Sequence, residues 1–318
     1  AILIPDSMGR ACGGLCSSCQ RMYDFQSGHL NFNLDKLAPS KNWPERLEEL
    51  LQYFRNDKQL RDILITGGDA LMSSNRTLQL ILDAVYRMAR DKRADNRTRP
   101  EGEKYAEMVR IRLGTRLPVY LPQRIDDNLI EILKSFREIA TTVGFRQFFI
   151  QTHFETAMEV TPEAAESIRK LQQSGWTIVN QMVFTAAGSR RGHAAKLRKV
   201  LNELGVFTYY TFSVKGFMEN REPFATNARL VQEQVEEKYI GKIPAKYLNM
   251  LGSICENNNQ IQSMLQQIRE KNGLPFLATD RSVLNMPGIG KSLTFRTIGI
   301  TPDGRRILLF DHDHTRRH

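Results

Sequence analysis

The chain has 318 residues, of which 41% are hydrophobic and 25% are charged, values close to the average of globular proteins. This composition excludes a disordered or fibrous chain, and the length suffices for one large α/β barrel or two ordinary domains without disulfide support. The 45 Lys and Arg residues exceed the 35 Asp and Glu residues by ten. Such an excess favours anionic ligands only where it is concentrated on one surface.

The densest charged stretch, residues 87–112, carries nine basic and five acidic residues. Runs of mixed sign are typical of a solvated insertion rather than a nucleic-acid arm, so we do not expect a nucleic-acid partner. No apolar run reaches the roughly 18 residues that a membrane span requires, and the N-terminus lacks the pattern of a secretory signal. We therefore expect a soluble, cytoplasmic protein. The chain starts on a predicted strand without a methionine, which indicates a fragment of a longer polypeptide.

Six short apolar runs rich in β-branched and aromatic residues predict β-strands, each followed by a helical pattern. They cover residues 1–5, 62–66, 109–113, 147–152, 177–184 and 208–214. Strands that alternate with helices predict a parallel sheet, either open and doubly wound or closed into a complete or partial barrel. In each of these folds ligands bind at the carboxyl ends of the strands.

Residues with chemical character follow or end five of the runs and lie within the fifth run, as a site at those strand ends requires. In chain order they are Cys12, Cys16 and Cys19; Gly67, Gly68 and Asp69; Gly114, Thr115 and Arg116; His153; Asn180 and Gln181; and Lys215. Loops are polar and glycine-rich in any protein, but six such groups in register indicate one site.

The alternation stops near residue 217, and the sequence predicts three units: 1–216, 217–280 and 281–318. The middle unit has an acidic-basic helical stretch at 227–239 and an Asn/Gln-rich one at 254–272, which predict a helical insertion or lid. The last unit reads VLNMPGIGKSLTFRTIGI and TPDGRRILLF, two predicted strands joined by a Thr-Pro-Asp-Gly turn.

Three of the four cysteines form a Cys-x3-Cys-x2-Cys loop at Cys12, Cys16 and Cys19. In a reducing compartment this clustering favours a metal site over a disulfide. Three thiolates can hold three irons of a [4Fe–4S] cluster and leave the fourth iron open to another ligand. A zinc loop completed by a distant His or Asp is the alternative.

The cysteine loop after the first strand resembles that of the radical SAM superfamily, whose fold is a partial (β/α)6 barrel. The motifs TGGDALM at 66–72, LGTRLPVYLPQRI at 113–125, THF at 152–154 and NQ at 180–181 are similar to those of the lysine 2,3-aminomutase family. The resemblance implies an α/β fold with such a barrel and a C-terminal extension. It also implies three cofactors: a [4Fe–4S] cluster, S-adenosylmethionine and pyridoxal 5′-phosphate.

By the same resemblance, the three cysteines hold the cluster, and five residues contact S-adenosylmethionine. These five are Gly67, Gly68, Asp69, His153 and Gln181. Lys291 in PGIGK corresponds to the catalytic lysine that binds pyridoxal phosphate as a Schiff base, a reaction that burial assists by lowering a lysine pKa. PGIGK is one residue shorter than the common family form, and the family's phosphate-binding Arg and Tyr before the cysteine loop are absent from this chain.

Three further positions concern the substrate. Arg21 matches the family arginine that pairs with the substrate α-carboxylate, a role that suits the guanidinium fork. Lysine-specific members hold the distal ammonium with two aspartates, and this sequence places Lys215 and Asn285 at those positions. A cationic side chain would meet Lys215 as a like charge, so we expect a glutamate-like substrate, as in glutamate 2,3-aminomutases. If the insertion shifts the alignment, Lys215 faces solvent instead.

The resemblance therefore predicts an isomerase, a 2,3-aminomutase that converts L-glutamate to β-glutamate, with lysine or another amino acid as the alternative substrate. It implies an electron donor such as flavodoxin or ferredoxin and leaves the oligomeric state open, a homo-oligomer included. Two other classes stay open: a radical SAM enzyme that modifies RNA or protein, and an iron–sulfur binding module without catalysis. The family's structural zinc site is not expected, because no cysteine follows Cys255. We interpret His312 and His314 as part of a frayed polar tail rather than a metal site.

Overall fold

The computed structural model describes most of the N-terminal two thirds of the chain and short segments beyond it. The described residues are 1–5, 12–14, 16, 18–19, 42–190, 192–212, 225, 245–247, 267, 271–272, 295–300 and 306–310. The predicted unit boundaries at 216/217 and 280/281 lie outside these residues, as do the predicted helical stretch at 227–239 and most of the one at 254–272.

Six parallel strands form one sheet: β1 (Ile2–Leu3), β2 (Asp62–Ile65), β3 (Arg110–Gly114), β4 (Gln147–Thr152), β5 (Thr177–Val183) and β6 (Phe207–Phe212). Their spatial order is their chain order, and β1 and β6 lack hydrogen bonds to each other, so the sheet is open. Because a doubly wound sheet reverses its strand order after the first half, this sequential order excludes that alternative. The fold is the predicted α/β partial (β/α)6 barrel, and all six predicted strands are confirmed.

In the part of the chain that the structure describes, six α-helices lie between these strands: α1 (Trp43–Asn56), α2 (Asn75–Thr98), α3 (Leu117–Tyr120), α4 (Asp127–Thr141), α5 (Pro162–Gln173) and α6 (His193–Glu203). Short 3-10 turns occur at Pro122–Arg124, Ala157–Glu159, Ala187–Ser189 and Ala245–Tyr247. Four of the described helices begin at a side-chain cap, where Asn42, Ser74, Asp126 and Thr161 accept a hydrogen bond from the backbone of the first turn. Such caps satisfy N–H groups that have no partner within a helix and so fix where each helix starts.

The hydrophobic core lies between the sheet and the helices. Along β3, Ile111 and Leu113 are fully buried, whereas Arg110 and Arg112 on the opposite face are partly exposed. Successive side chains of a strand point to opposite faces, so one face of the sheet packs on the helices and the other lines the concave interior. A cluster of Phe136, Phe145, Phe148 and Trp176 packs the outer face near β4, with ring centroids 5.4–6.4 Å apart.

Within the charged stretch, residues 87–108 are folded against the rest of the sheet domain, although half of them are exposed to solvent. Residues 87–98 are the second half of α2, whose buried stripe continues through Met88, Ala89, Lys92 and Asn96. The segment that follows packs back on the helix, since Asn96 donates to the Tyr105 carbonyl (2.8 Å) and accepts from the Tyr105 N–H (2.9 Å). Residues 87–108 are therefore the end of α2 and a loop that Asn96 of this helix holds in place.

Two further strands, β7 (Phe295–Ile300) and β8 (Arg306–Phe310), pair antiparallel, as the sequence predicts for the C-terminal hairpin. Within the described residues, no helix combines the length and hydrophobicity needed to cross a membrane.

Candidate active site at the carboxyl end of the sheet

The three cysteines lie in the loop after β1, at the end of the sheet where the strands finish. Cys12 is exposed, whereas Cys16 and Cys19 are partly buried, and each is a free thiol. The Cys19 N–H donates to the Cys16 carbonyl (2.9 Å), which folds the loop into a turn. A carbon placed at the Cβ position of Gly14 would lie 3.5 Å from Cys16 Sγ and 3.6 Å from Cys12 Sγ. Two thiols therefore face one small space that a side chain would enter, an arrangement that fits an iron–sulfur cluster.

Cys16 has a charged neighbour from the end of β3. Arg116 Nη1 donates to Cys16 Sγ (2.6 Å), and the thiol contacts the Gly14 carbonyl (3.7 Å). Burial raises the pKa of the Cys16 thiol, and the Arg116 guanidinium opposes that increase. A metal ion or cluster bound to the sulfur would reverse the effect, because coordination stabilises the thiolate.

His153 and Glu155 follow β4 and approach the same cysteine. His153 Nε2 lies 3.2 Å from Glu155 Oε1, and both side chains are about four-fifths buried. Although burial opposes it, the contact with His153 lowers the pKa of the Glu155 carboxyl. Cys16, His153 and Glu155 each offer one atom that could bind a metal, and these three atoms lie within 4.8 Å of one another. The structure thus brings His153 to the cysteine loop, beside a carboxylate that sequence reasoning did not single out.

Gly67 and Gly68 form the turn after β2. Gly67 has a φ of +111°, and a Cβ atom there would collide with the Ile4 side chain. Glycine is therefore required at this position by the backbone conformation and by the close approach of β1, whether or not a cofactor binds.

The carboxylate of Asp69 is buried, with 7% of the residue exposed, and is bonded within the protein. It accepts hydrogen bonds from the Leu71 N–H (3.1 Å), the Arg116 N–H (2.6 Å) and the Tyr120 hydroxyl (3.0 Å). Burial raises the pKa of Asp69, and these donors oppose the increase by stabilising the carboxylate. Asp69 thus joins the end of β2 to the segment after β3.

Gln181 lies on the concave face of β5. Its Oε1 accepts a hydrogen bond from the Tyr210 hydroxyl (2.6 Å), and burial raises the pKa of Tyr210 to about 12. The neighbouring Asn180 is buried and bonds both backbone groups of Phe154, the residue after His153. Gln181 is partly exposed on the concave face of the sheet, whereas buried Asn180 holds the loop that carries His153.

The structure brings the predicted residues Cys12, Cys16, Cys19, Gly67, Gly68, Asp69, His153 and Gln181 to one end of the sheet. Arg21, Lys215, Asn285 and Lys291 lie outside the described residues, so their roles stay predictions. Arg116, which the sequence placed at the strand ends without a specific role, also lies there, together with Tyr120 and Glu159, which sequence reasoning did not single out. The motif LGTRLPVYLPQRI contains the first two, but a motif match does not show which side chains meet.

The chain is similar to curated proteins of one kind, although no protein-family model matches it. It is 30% identical over 304 residues to an uncharacterised KamA family protein of Methanocaldococcus jannaschii. This match covers 94% of the present chain and 38% of the relative. An L-lysine 2,3-aminomutase of Methanococcus maripaludis is 28% identical over 228 residues, or 70% of this chain and 44% of the relative. A glutamate 2,3-aminomutase of Clostridioides difficile is 28% identical over 205 residues, or 64% and 40%.

The chain spans less than half the length of these three relatives. The match to the first of them nonetheless extends over almost all of the present sequence. The chain belongs to the lysine 2,3-aminomutase family.

Proposed function

We propose that this chain supplies the radical SAM core of an amino acid 2,3-aminomutase, an isomerase that moves an α-amino group to the adjacent carbon. The observation that carries the proposal is the position of the three cysteines at the carboxyl end of an open, sequentially ordered parallel sheet, beside His153. Family membership supports the same reaction class, since two of the relatives are named as 2,3-aminomutases.

Cys12, Cys16 and Cys19 would hold a [4Fe–4S] cluster, and the glycine turn after β2, His153 and Gln181 would contact S-adenosylmethionine. Lys291 would carry pyridoxal phosphate. When bound, these cofactors supply a 5′-deoxyadenosyl radical and a carrier for the migrating amino group. The protein's part is to hold them in the correct positions and to exclude water from reactive species.

For the substrate we propose a glutamate-like amino acid. Arg21 would pair with its α-carboxylate, and Lys215 with Asn285 would receive the distal carboxylate. The support is chemical: neither Lys215 nor Asn285 carries the negative charge that a distal ammonium requires. A low-potential electron carrier such as flavodoxin or ferredoxin would supply the electron that starts the reaction.

The test is an anaerobic assay of the reconstituted protein with S-adenosylmethionine, pyridoxal phosphate and dithionite. Glutamate and lysine are offered separately, and 5′-deoxyadenosine and β-amino acids are measured by mass spectrometry. The proposal requires β-glutamate from glutamate and no β-lysine. Cys16→Ala should lose both the visible absorbance of the cluster and all product.

Each other outcome corrects a defined part of the proposal. β-Lysine alone would overturn the assignment of Lys215 and Asn285, and the double variant Lys215→Asp, Asn285→Asp provides a matched comparison that should favour lysine over glutamate. Deoxyadenosine without either product would overturn the substrate class but not the radical chemistry. Zinc in place of iron after metal analysis would favour the structural zinc loop and overturn the whole proposal.

A further inference from the structure

Arg116 connects the cysteine loop to a carboxylate on the opposite side of the site. Its Nη1 donates to Cys16 Sγ (2.6 Å) and its Nη2 donates to Glu159 Oε1 (2.8 Å). The Arg116 side chain is 15% exposed and that of Glu159 is 22% exposed, so the pair lies largely out of water. A sulfur, a guanidinium and a carboxylate therefore form a short chain of hydrogen bonds.

Both charged groups are held in place by the backbone. The Arg116 N–H donates to Asp69 Oδ2 (2.6 Å), and the second carboxylate oxygen of Glu159 accepts from the Glu155 N–H (2.7 Å). Glu159 closes the 3-10 turn Ala157–Glu159, which follows β4. The guanidinium therefore cannot move away from Cys16 without losing or shifting its ion pair with Glu159.

Arg116 also has an unused donor. Its Nε is buried and has no hydrogen-bond partner among the residues that the structure describes. A buried N–H without a partner is costly, so an acceptor that reached Arg116 Nε on cluster binding would be favoured. An inorganic sulfide of a cluster beside Cys16 has the required chemistry.

We propose that Arg116 and Glu159 set the electron affinity of the iron–sulfur centre that the cysteine loop binds. This inference rests on the proposed function only in requiring that the cysteines hold a cluster. The step concerned is the transfer of one electron from a low-potential donor to the oxidised cluster, in which no bond forms or breaks. Arg116 favours the reduced cluster, because its positive charge lies next to a ligand sulfur, and hydrogen bonds to sulfur raise a cluster's potential.

Glu159 acts through Arg116 and has the opposite effect. Its carboxylate offsets part of the guanidinium charge, so the positive field at the cluster is weaker than that of an unpaired arginine. Removing the positive charge and removing the negative charge should therefore shift the potential in opposite directions. A residue that only maintained the fold would not produce this pair of signs.

The test measures the midpoint potential of the reconstituted cluster in Arg116→Gln and Glu159→Gln. Dithionite titration with redox dyes is followed by electron paramagnetic resonance, without S-adenosylmethionine. At a fixed potential we expect the ratio of reduced to oxidised cluster to fall about tenfold in Arg116→Gln, a shift of about 59 mV for one electron. In Glu159→Gln the ratio should rise, by about threefold or more.

Two further variants separate this role from a structural one. Arg116→Lys keeps the charge but cannot bridge Cys16 and Glu159, so its potential should fall between those of wild type and Arg116→Gln. Arg124→Gln removes a comparably buried guanidinium that bonds Ser73 and Asn75 instead of a cysteine, and the potential should not change.

Shifts of the same sign in Arg116→Gln and Glu159→Gln, or no shift in either with four irons bound, would overturn this inference alone. If Arg116→Gln fails to fold, Glu159→Gln decides the question, since an unchanged or lowered potential there contradicts the proposal. If the wild-type protein binds no cluster, iron and sulfide analysis shows it first, and the proposed function falls together with this inference.

Discussion

The Tyr120 hydroxyl donates a 3.0 Å hydrogen bond to Asp69 Oδ2, and this contact joins the cysteine loop to the ends of β2 and β3. The Tyr120 ring lies against two glycines of the loop. A Cβ atom at Gly13 would be 3.1 Å from Tyr120 Cε2, and one at Gly14 would be 3.5 Å from Cε1. Burial raises the pKa of Tyr120 far above its ordinary value, so the hydroxyl keeps its proton and stays a donor. Tyr120 is thus a positioning residue for the loop that carries the cysteines.

Gly13→Ala should loosen the cluster, because the added methyl group pushes against the Tyr120 ring. Overpacking of this kind costs roughly 1–3 kcal/mol, so we expect iron to be lost to a chelator at least about fivefold faster than from wild type. The rate is measured anaerobically from the decay of cluster absorbance.

Tyr120→Leu supplies the matched comparison. The smaller side chain leaves room for the alanine, so Gly13→Ala should have little additional effect in the Tyr120→Leu background. Equal effects of Gly13→Ala in both backgrounds would show that the ring does not position the loop.

Much of the sheet could be predicted because its strands have a clear sequence signature. QFFIQT was predicted and observed over residues 147–152, since a run of β-branched and aromatic residues there is bounded by turn signals. The first strand is shorter than predicted, because only Ile2 and Leu3 pair with β2. How many residues of a strand form hydrogen bonds depends on the position of the neighbouring strand. The local sequence pattern carries no information about that position.

Helix α2 shows why the rest could not be predicted. Its buried stripe ends in Lys92 and Asn96, residues that normally mark a solvated surface. Both are buried because backbone groups from other segments receive their hydrogen bonds, and those partners exist only in the folded chain. Arg116 and Cys16, 100 residues apart in sequence, are a similar case. Their pairing arises from the strand order, not from either local motif.

Lys92→Met should destabilise the fold. The ammonium is fully buried and donates to the carbonyls of Phe54, Asp57 and Leu60, each at 2.9 Å, so it closes the end of α1. Methionine fills the space but leaves three carbonyls without this donor, one in a buried and two in a partly buried hydrogen bond, a loss of roughly 2–4 kcal/mol. Urea unfolding followed by circular dichroism measures it, with the exposed Lys134→Met as the control. A difference below about 1 kcal/mol would contradict the proposed role of Lys92.

The Arg55–Asp95 pair should contribute a stability term that disappears in acid. Arg55 donates to both carboxylate oxygens (2.8 and 3.0 Å), and this contact lowers the pKa of Asp95 from its usual 3.8. A lowered carboxyl pKa means that the stabilisation is present above pH 3.8 and is lost as the pH falls through the value in the folded protein. Both side chains are about one third exposed, so the coupling should be below about 1 kcal/mol. A double-mutant cycle of Arg55→Gln and Asp95→Asn, measured by urea unfolding at pH 7 and pH 3, tests it; a coupling as large at pH 3 as at pH 7 contradicts the assignment.

Asn180→Asp should disturb the loop that carries His153 even though the two side chains have the same shape. The Asn180 side-chain amide bonds both backbone groups of Phe154, as a neighbouring β-strand would. Its Oδ1 accepts from the Phe154 N–H (2.7 Å) and its Nδ2 donates to the Phe154 carbonyl (3.1 Å). Aspartate keeps the acceptor, loses the donor and places a carboxyl group where only 3% of the residue is exposed. We expect a loss of roughly 2–4 kcal/mol in urea unfolding and weaker binding of S-adenosylmethionine by calorimetry. Thr152→Val removes only a 3.5 Å contact to the same amide and should cost less than about 1.5 kcal/mol, so an equal loss in both variants would mean that the Phe154 bonds are not what holds the loop.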